Sequence, residues 1–365
     1  ANAILKAGGK PSDRVALLMS HDSPLIAAAL AILRAGRIAV VLNPTDPPER
    51  LKHFLDDADS GLILADPSHR EAAHHLAGDR RHVLALDAST ANESERDPAI
   101  SVRPDDLAFL VYTSASTGRP KAVMQTHRNI LRNAFRLSRG MEMRTTDRVA
   151  LLASLSGGQG LATTWCALSS GASLHPFPIM DKGVTGLARW TNEAGISVLV
   201  AASSLFRNFA RTLNPDATFP SVRLLRLGSE PSTAGDLEVF QRLFAESCTF
   251  FHTYSSSETG NITQLSLNCT SPMPEGRLPV GRVAADMEIL LQDDQGREVP
   301  QGDVGTILVR SRYLSPGYWR NDALTRERFS GPNDPGEIRE FRSGDTGRFL
   351  DDGMLLLTGR RDSMV

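Results

Sequence analysis

Short apolar runs recur along the first two thirds of the chain, most of them followed by a stretch with helical spacing. This alternation constrains the fold more than any other feature. "VALLM" (Val15 to Met19) reads as a strand, and "SPLIAAALAILRAG" as a helix capped by Ser23 and stopped by Gly36. Strand "IAVVL", helix "PPERLKHFLDDA" and strand "GLILA" follow. Further strands are "LAFLVYT", "RVALLAS", "SVLVAA", "LLRLG" and "TFFHTY", and in the helical pattern "AGDLEVFQRLF" Leu237, Phe240 and Phe244 share one face. Strand–helix alternation of this kind predicts α/β architecture with mostly parallel, buried sheets flanked by helices.

Near Asn268 the texture changes. "CTSPMPEGRLPVG" is a Pro- and Gly-rich loop, and the strands "MEILLQ", "GTILVRS", "GRFL" and "MLLLTG" then follow without helices between them. This predicts a small antiparallel β-barrel or sandwich added to the α/β body. The expected division is an α/β body over 1–267, a β-rich subdomain over 268–356 and a terminal stretch over 357–365. The chain begins inside a helical pattern and stops at "TGRRDSMV", directly after a strand, so it reads as a piece of a longer protein.

A chain of 365 residues is long enough for more than one core. A formal charge of -2 with 22% charged residues gives no basic excess for nucleic acid. The longest apolar stretch, "LIAAALAIL" from Leu25 to Leu33, is too short to span a bilayer, and the N-terminus lacks the apolar core of a signal peptide. Cys166, Cys248 and Cys269 form no CxxC and read as reduced thiols of a cytoplasmic protein, not as a disulfide or zinc framework.

Four polar stretches stand at strand ends. "YTSASTGRPK" (Tyr112 to Lys121) combines hydroxyls, backbone N–H groups and a lysine, the ingredients of an anion cradle. It lacks the G-x-x-x-x-G-K-[ST] spacing of a Walker A loop, which argues against a P-loop kinase or NTPase, and a polar strand-to-helix turn would explain the run equally well. "HTYSSSETG" (His252 to Gly260) offers an aromatic face, hydroxyls and a carboxylate where α/β folds hold nucleotides and Mg2+, although a capped turn has the same composition. "FRSGDTGRF" (Phe341 to Phe349) sets Asp345 in a glycine turn, where it either forms the turn or accepts hydrogen bonds from a ribose diol. "LTGRRD" (Leu357 to Asp362) closes the last strand.

Together and in this order, these stretches resemble the adenylate-forming superfamily of acyl-CoA synthetases, peptide-synthetase adenylation domains and luciferases. "YTSASTGRPKAV" resembles its phosphate loop TSG[ST]TGxPKG, "TYSSSE" its YGxTE, "FRSGDTGR" its Y[RK]TGDxxR and "GRRD" its GRxD. "LRAGRIAVVLNPTDPPERL", "GSEPST" and "LVRSRYLSPGYWRNDALTRERF" resemble further segments in sequence order, so the resemblance spans essentially the whole chain. It implies the large N-terminal part of such an enzyme: two mostly parallel sheets flanked by helices plus a small antiparallel β-barrel, with the phosphate loop and acyl pocket in the body.

The activity implied is AMP-forming carboxylate activation. A small carboxylic acid and ATP give an acyl-adenylate and pyrophosphate, and a thiol of CoA or of carrier-bound phosphopantetheine then displaces AMP. The resemblance assigns Thr113, Ser114, Ser116, Thr117, Gly118 and Lys121 to the phosphates. Glu258 falls to Mg2+, Ser257 to the α-phosphate, and Tyr254, flanked by Thr253 and Ser255, to adenine. Gly228, Ser229, Glu230 and Pro231 form the opposite wall. Asp345, helped by Arg360, takes the ribose, and Asp362 is the hinge. Glu258, Ser257 and Lys121 are then the residues nearest the chemistry. Ala115, Ala122 and Ser255 depart from the family's glycines, and an added methyl stiffens a loop that must move. The chain also ends before the small C-terminal subdomain, whose lysine contacts the reacting groups, so the fragment alone should adenylate weakly.

Matched in the same way, the acyl pocket comprises Gly158, Gln159, Ala162, Leu225, Leu227, Thr253, Asn261 and Ile262. Where relatives that activate α-amino acids place an Asp for the ammonium group, this chain has Gly158. An unpaired buried ammonium is costly, so the substrate is expected to lack an α-amino group, although Gly158 read simply as a helix-entry turn would carry no such message. "DPPERL" leans toward an adenylation domain that loads an acyl or peptidyl carrier protein, and the missing Asp toward a free-standing acyl- or aryl-CoA ligase. A nucleotide-binding pseudoenzyme is the alternative of another class. No nucleic-acid or membrane partner is expected.

Overall fold

The computed structural model describes residues 1–87, 93–113, 120–274, 277–332, 334 and 336–360. Ser114, Ala115, Ser116, Thr117 and Gly118 of the polar run, and Asp362 of the last motif, lie outside the described residues. The chain forms two compact units. One comprises Ala1–Arg128, Ser154–Gly157 and Ser315–Asn321, and the other Asn129–Ala153, Gly158–Leu314 and Asp322–Val365.

The first unit is built on a six-stranded sheet of β1 (Arg14–Leu18), β2 (Ile38–Leu42), β3 (Leu62–Ala65), β4 (His82–Ala85), β5 (Leu107–Thr113) and β6 (Lys121–Thr126), in the order β4-β3-β1-β2-β5-β6. The first five pair in parallel, and β6 runs antiparallel to β5. Thr113 of β5 pairs with Lys121 of β6, so the polar run joins two antiparallel strands and is not a strand-to-helix turn. Leu18, Val40 and Leu42 pack with Leu51, Phe54 and Leu55 of helix Pro48–Ala58. Helix Ser23–Arg34 is capped by Asp22, whose carboxylate accepts from the Ser23 N–H at 2.7 Å. The cap therefore lies one residue before the serine that the sequence indicated, because the carboxylate reaches the orphan N–H from outside the first turn. Gly36, at φ 66°, turns the chain away after the helix.

The second unit holds a seven-stranded sheet of β7 (Arg148–Leu151), β8 (Ser173–Pro176), β9 (Val198–Ala202), β10 (Leu224–Gly228), β11 (Thr249–Ser256), β12 (Gly260–Leu267) and β13 (Arg282–Val283). Its order is β13-β12-β11-β10-β9-β7-β8, parallel from β8 to β11 and antiparallel beyond. One face packs Leu225, Leu227 and Phe250 with Leu237 and Phe240 of helix Ala234–Leu243 and with Phe206 of helix Ser203–Arg211. The other packs Val198, Val200, Leu224 and Phe251 with Cys166 and Ala167 of helix Gly158–Ser169.

The same unit carries an antiparallel sheet of β14 (Glu288–Gln292), β15 (Gly305–Ser311), β16 (Phe329–Ser330), β17 (Arg339–Phe349) and β18 (Leu355–Arg360), in the order β14-β15-β17-β16 with β18 alongside β17. The stretch read as a glycine turn is the interior of β17. Gly344 adopts φ 80°, and the pairing slips between Thr306 and Leu308 and again between Thr346 and Gly347. Such bulges re-aim side chains without ending the strand, which explains why glycines flank Asp345 there. Among the described residues, no helix is long and apolar enough to cross a membrane.

Candidate active site

The polar stretches of the second unit converge through its two sheets. β11 runs through Ser256 and turns at 257–259 into its antiparallel partner β12, so most of "HTYSSSE" is strand, not the loop after it. Tyr254 is buried, and its Oη donates to Asp345 Oδ2 at 2.5 Å, joining two motifs 91 residues apart. Burial, then the adjacent carboxylate, push the Tyr254 phenol well above its ordinary range, so it stays protonated and keeps donating. Asp345 lies opposite Arg360 across β17 and β18, with Arg360 Nε 3.7 Å from Asp345 Oδ1. The Asp345 N–H donates to Ser343 Oγ at 3.1 Å, which fixes the bulge.

The loop after β10 is anchored from the helix side. Glu230 Oε2 accepts from the Ser204 N–H at 2.8 Å and Oε1 from its hydroxyl at 2.9 Å, so this carboxylate caps helix Ser203–Arg211. Pro231 O accepts from Arg207 Nη2 at 3.1 Å, and Arg207 pairs with Asp236 at 2.7 Å. Ser229 holds φ 67°, a left-handed conformation that a serine adopts at a cost and that here opens the turn after Gly228. A Cβ at Gly228 would fall 2.9 Å from Thr253 Oγ1 and 3.7 Å from Gln159 Nε2, so glycine leaves room for the Thr253 hydroxyl at the strand end. Thr253 Oγ1 is itself buried without a hydrogen-bond partner among the described residues.

The proposed acyl lining divides between the two faces of the sheet. Gly158 begins its helix beside β11, where a Cβ would lie 3.1 Å from Ser257 Oγ. Gln159 Nε2 donates to Ala201 O at 3.2 Å, and Ala162 packs with the Cys166 and Leu224 cluster. Ile262 is buried at the irregularity where the β11–β12 register shifts, between Thr263, the partner of Tyr254, and Asn261, the partner of Ser255. Leu225 and Leu227 do not share the face of Ala162. They pack with Phe240 and Phe250 on the opposite face, because side chains alternate along β10. The residues of β10 that lie on the side of Gly228 are Leu224 and Arg226. Asn261 is buried in a structural network: its Nδ2 donates to Thr263 O at 2.9 Å, and its Oδ1 accepts from Gln264 Nε2 at 2.7 Å.

Glu258 is 7% exposed at the β11–β12 turn, between Ser257 and Thr259, and Thr259 Oγ1 lies 3.0 Å from Ser256 Oγ. Oxygen-only donors of this kind suit a hard divalent cation. No group of three or more His, Cys, Asp or Glu gathers among the described residues, so a cation here would draw its other ligands from phosphate and water. In the first unit, Lys121 Nζ donates to the buried Tyr318 hydroxyl at 2.9 Å, and Thr113 Oγ1 donates to Lys121 O at 3.4 Å. Sequence reasoning missed Tyr318 as the partner of Lys121, and missed Arg226. The first has no sequence signal, but an arginine inside the apolar run "LLRLG" was one.

Comparison with known proteins follows the same geometry. The family pattern described as AMP-binding enzyme matches residues 1–319. A linear gramicidin synthase from Brevibacillus parabrevis is 30% identical over all of this chain, which spans 5% of that protein. The ATP-bound RpMatB-BxBclM chimera B3 superposes with a TM-score of 0.83 at 25% identity, covering 100% of this chain and 72% of that one. The N-terminal domain of FACL13 from Mycobacterium tuberculosis shares the fold, with a TM-score of 0.83 at 22% identity over 98% of this chain and 89% of that domain. The chain belongs to the AMP-binding enzyme family, within the adenylate-forming superfamily.

Proposed function

We propose that this chain is the adenylate-forming body of a carboxylate-activating enzyme, and that the intact protein passes the acyl group to the phosphopantetheine of a carrier protein. The Tyr254–Asp345 hydrogen bond carries this reading, because it sets the candidate adenine platform and the candidate ribose acceptor in one place. Asp345 and Arg360 orient the nucleotide, Tyr254 and the Gly228–Pro231 wall bracket its base, and Ser257 faces the α-phosphate. Lys121, Thr113, Ser114, Ser116, Thr117 and Gly118 hold the outgoing pyrophosphate. When bound, Mg2+ at Glu258 neutralises charge developing on the α-phosphate. Holding two anions in line is most of what such a displacement requires, and the protein supplies no covalent nucleophile.

The carrier as acceptor is supported by "DPPERL" and by the similarity to a linear gramicidin synthase. Transfer to CoA is the second reading, favoured by Gly158, which brings no carboxylate for an α-ammonium group. Pyrophosphate exchange into ATP by the intact protein, with acids paired to differ only in the α-amino group, tests the reading. The acid without the amino group should be favoured by more than roughly a hundredfold. Asp345→Ala should raise the KM for ATP while the fold persists. Exchange that prefers α-amino acids, or an Asp345→Ala variant with unchanged ATP dependence, would refute these assignments.

A further inference from the structure

We propose that Arg226 is the counter-ion of a second, distal carboxylate on the acid this protein activates, so that its substrate class is the dicarboxylic acids. The proposal rests on the adenylation reading above and deepens it. Arg226 is the middle residue of β10, paired with Val200 and Phe251 on either side, and is 2% exposed. Its Nε and Nη1 are buried and have no hydrogen-bond partner among the described residues. It lies on the sheet face of Gly228, two residues back along the strand and therefore about 7 Å deeper.

That face is the one toward which Gln159 and Ala162 turn from helix Gly158–Ser169. Gly228 and Ala162 are small, so a chain entering past Gly228 meets no bulky side chain from either residue. Thr253 Oγ1, also without a partner among the described residues, lies on the same face at the level of Gly228.

Among the described residues, Arg226 has no carboxylate partner. The nearby ionisable side chain that acts on it is Cys166, whose thiol burial pushes up to about 12, so it is neutral at ordinary pH. Burial lowers the guanidinium to about 10, which still leaves it protonated. A buried cation without an anion is destabilising, and removing one partner of an ion pair leaves this situation behind. Arg136, on helix His127–Gly140, is the internal comparison: it is equally buried and its Nη2 also lacks a hydrogen-bond partner among the described residues, but its Nε donates to Ala285 O at 2.8 Å and its Nη1 to Asn261 O at 3.0 Å. A guanidinium fork matches a carboxylate in two parallel hydrogen bonds, so a diacid answers both the charge and the unmet donors.

The test is pyrophosphate exchange by the intact protein with straight-chain monoacids and the diacids of equal carbon number, beside melting curves with each acid alone. The parent should favour one diacid over its monoacid by roughly ten- to a hundredfold, the range that one charge-assisted pair supplies. Arg226→Met should reverse that ratio and raise the melting temperature of the ligand-free protein. Arg226→Lys, which keeps the charge but loses the fork, should retain part of the preference. A parent that activates monoacids at least as well as their diacids overturns the proposal, as does an Arg226→Met variant with the parent's ratio. Absence of exchange with every acid would instead count against adenylation. The melting curves then decide: a diacid that stabilises the parent and not Arg226→Met upholds the proposal, and equal shifts or none overturn it.

Discussion

The two faces of the seven-stranded sheet use the same strands to opposite ends. On one, Leu225, Leu227, Leu237, Phe240 and Phe250 pack with Phe206 into an apolar cluster. On the other, Val198, Val200, Leu224 and Phe251 form a smaller cluster, and among and above it stand Arg226, Thr253 and Gln159. Unmet donors and acceptors in a protein interior are expensive; among the described residues the mixed face holds Arg226 Nε and Nη1 and Thr253 Oγ1 without a partner, and the apolar face holds His252 Nε2. The apolar face gives stability, and the mixed face forgoes some of it for binding.

Four substitutions would break or sharpen this contrast. Phe240→Ala should have the largest effect, about 3–5 kcal/mol of unfolding free energy, because it opens a cavity in a cluster with little room to collapse. Urea denaturation measures it, and a loss below about 1 kcal/mol would mean that this face is not the main core.

His252 tests how strictly that face excludes charge. It pairs with Leu227 and lies tilted against Phe250, and burial lowers its imidazole to about 4. Between about pH 6.5 and 4 the unfolded chain takes up a proton that the folded chain refuses. Stability should therefore fall as the pH is lowered through this window, by about 3 kcal/mol from this ring. Neighbouring carboxylates titrate in the same range, so the quantity to read is the difference between the parent and His252→Gln. Parallel stability curves for the two proteins would exclude the effect.

The smallest effect is expected on the mixed face. Arg136→Met leaves the carbonyls of Ala285 and Asn261 unmet and should destabilise by about 1–3 kcal/mol, whereas Arg226→Met removes buried Nε and Nη1 donors that have no partner among the described residues. Equal losses for the two variants, measured by thermal unfolding, would erase the distinction between an arginine that donates to two carbonyls and one whose buried Nε and Nη1 meet no partner.

Much of this protein was legible in its sequence. The alternation of apolar strands with amphipathic helices determined the parallel sheets, since an apolar run that must be buried on both sides leaves few other solutions. The order of the four polar stretches determined the family, because each keeps its own local spacing and survives reading without three-dimensional context. Other features were decided only by the tertiary structure. Antiparallel partners β6 and β12 directly follow polar runs that read locally as turns, and pairing is a property of two strands, not of one. Asp345 looked like a turn residue because local glycines signal bends, yet a bulge inside β17 needs the same glycines. The acyl lining failed on β10 for the simplest reason. A strand repeats every two residues, so motif matching that is right along the chain still leaves open which face each residue serves. Leu225 and Leu227 went to the core, and Arg226 was left on the opposite face, the one on which Gly228 lies two residues on.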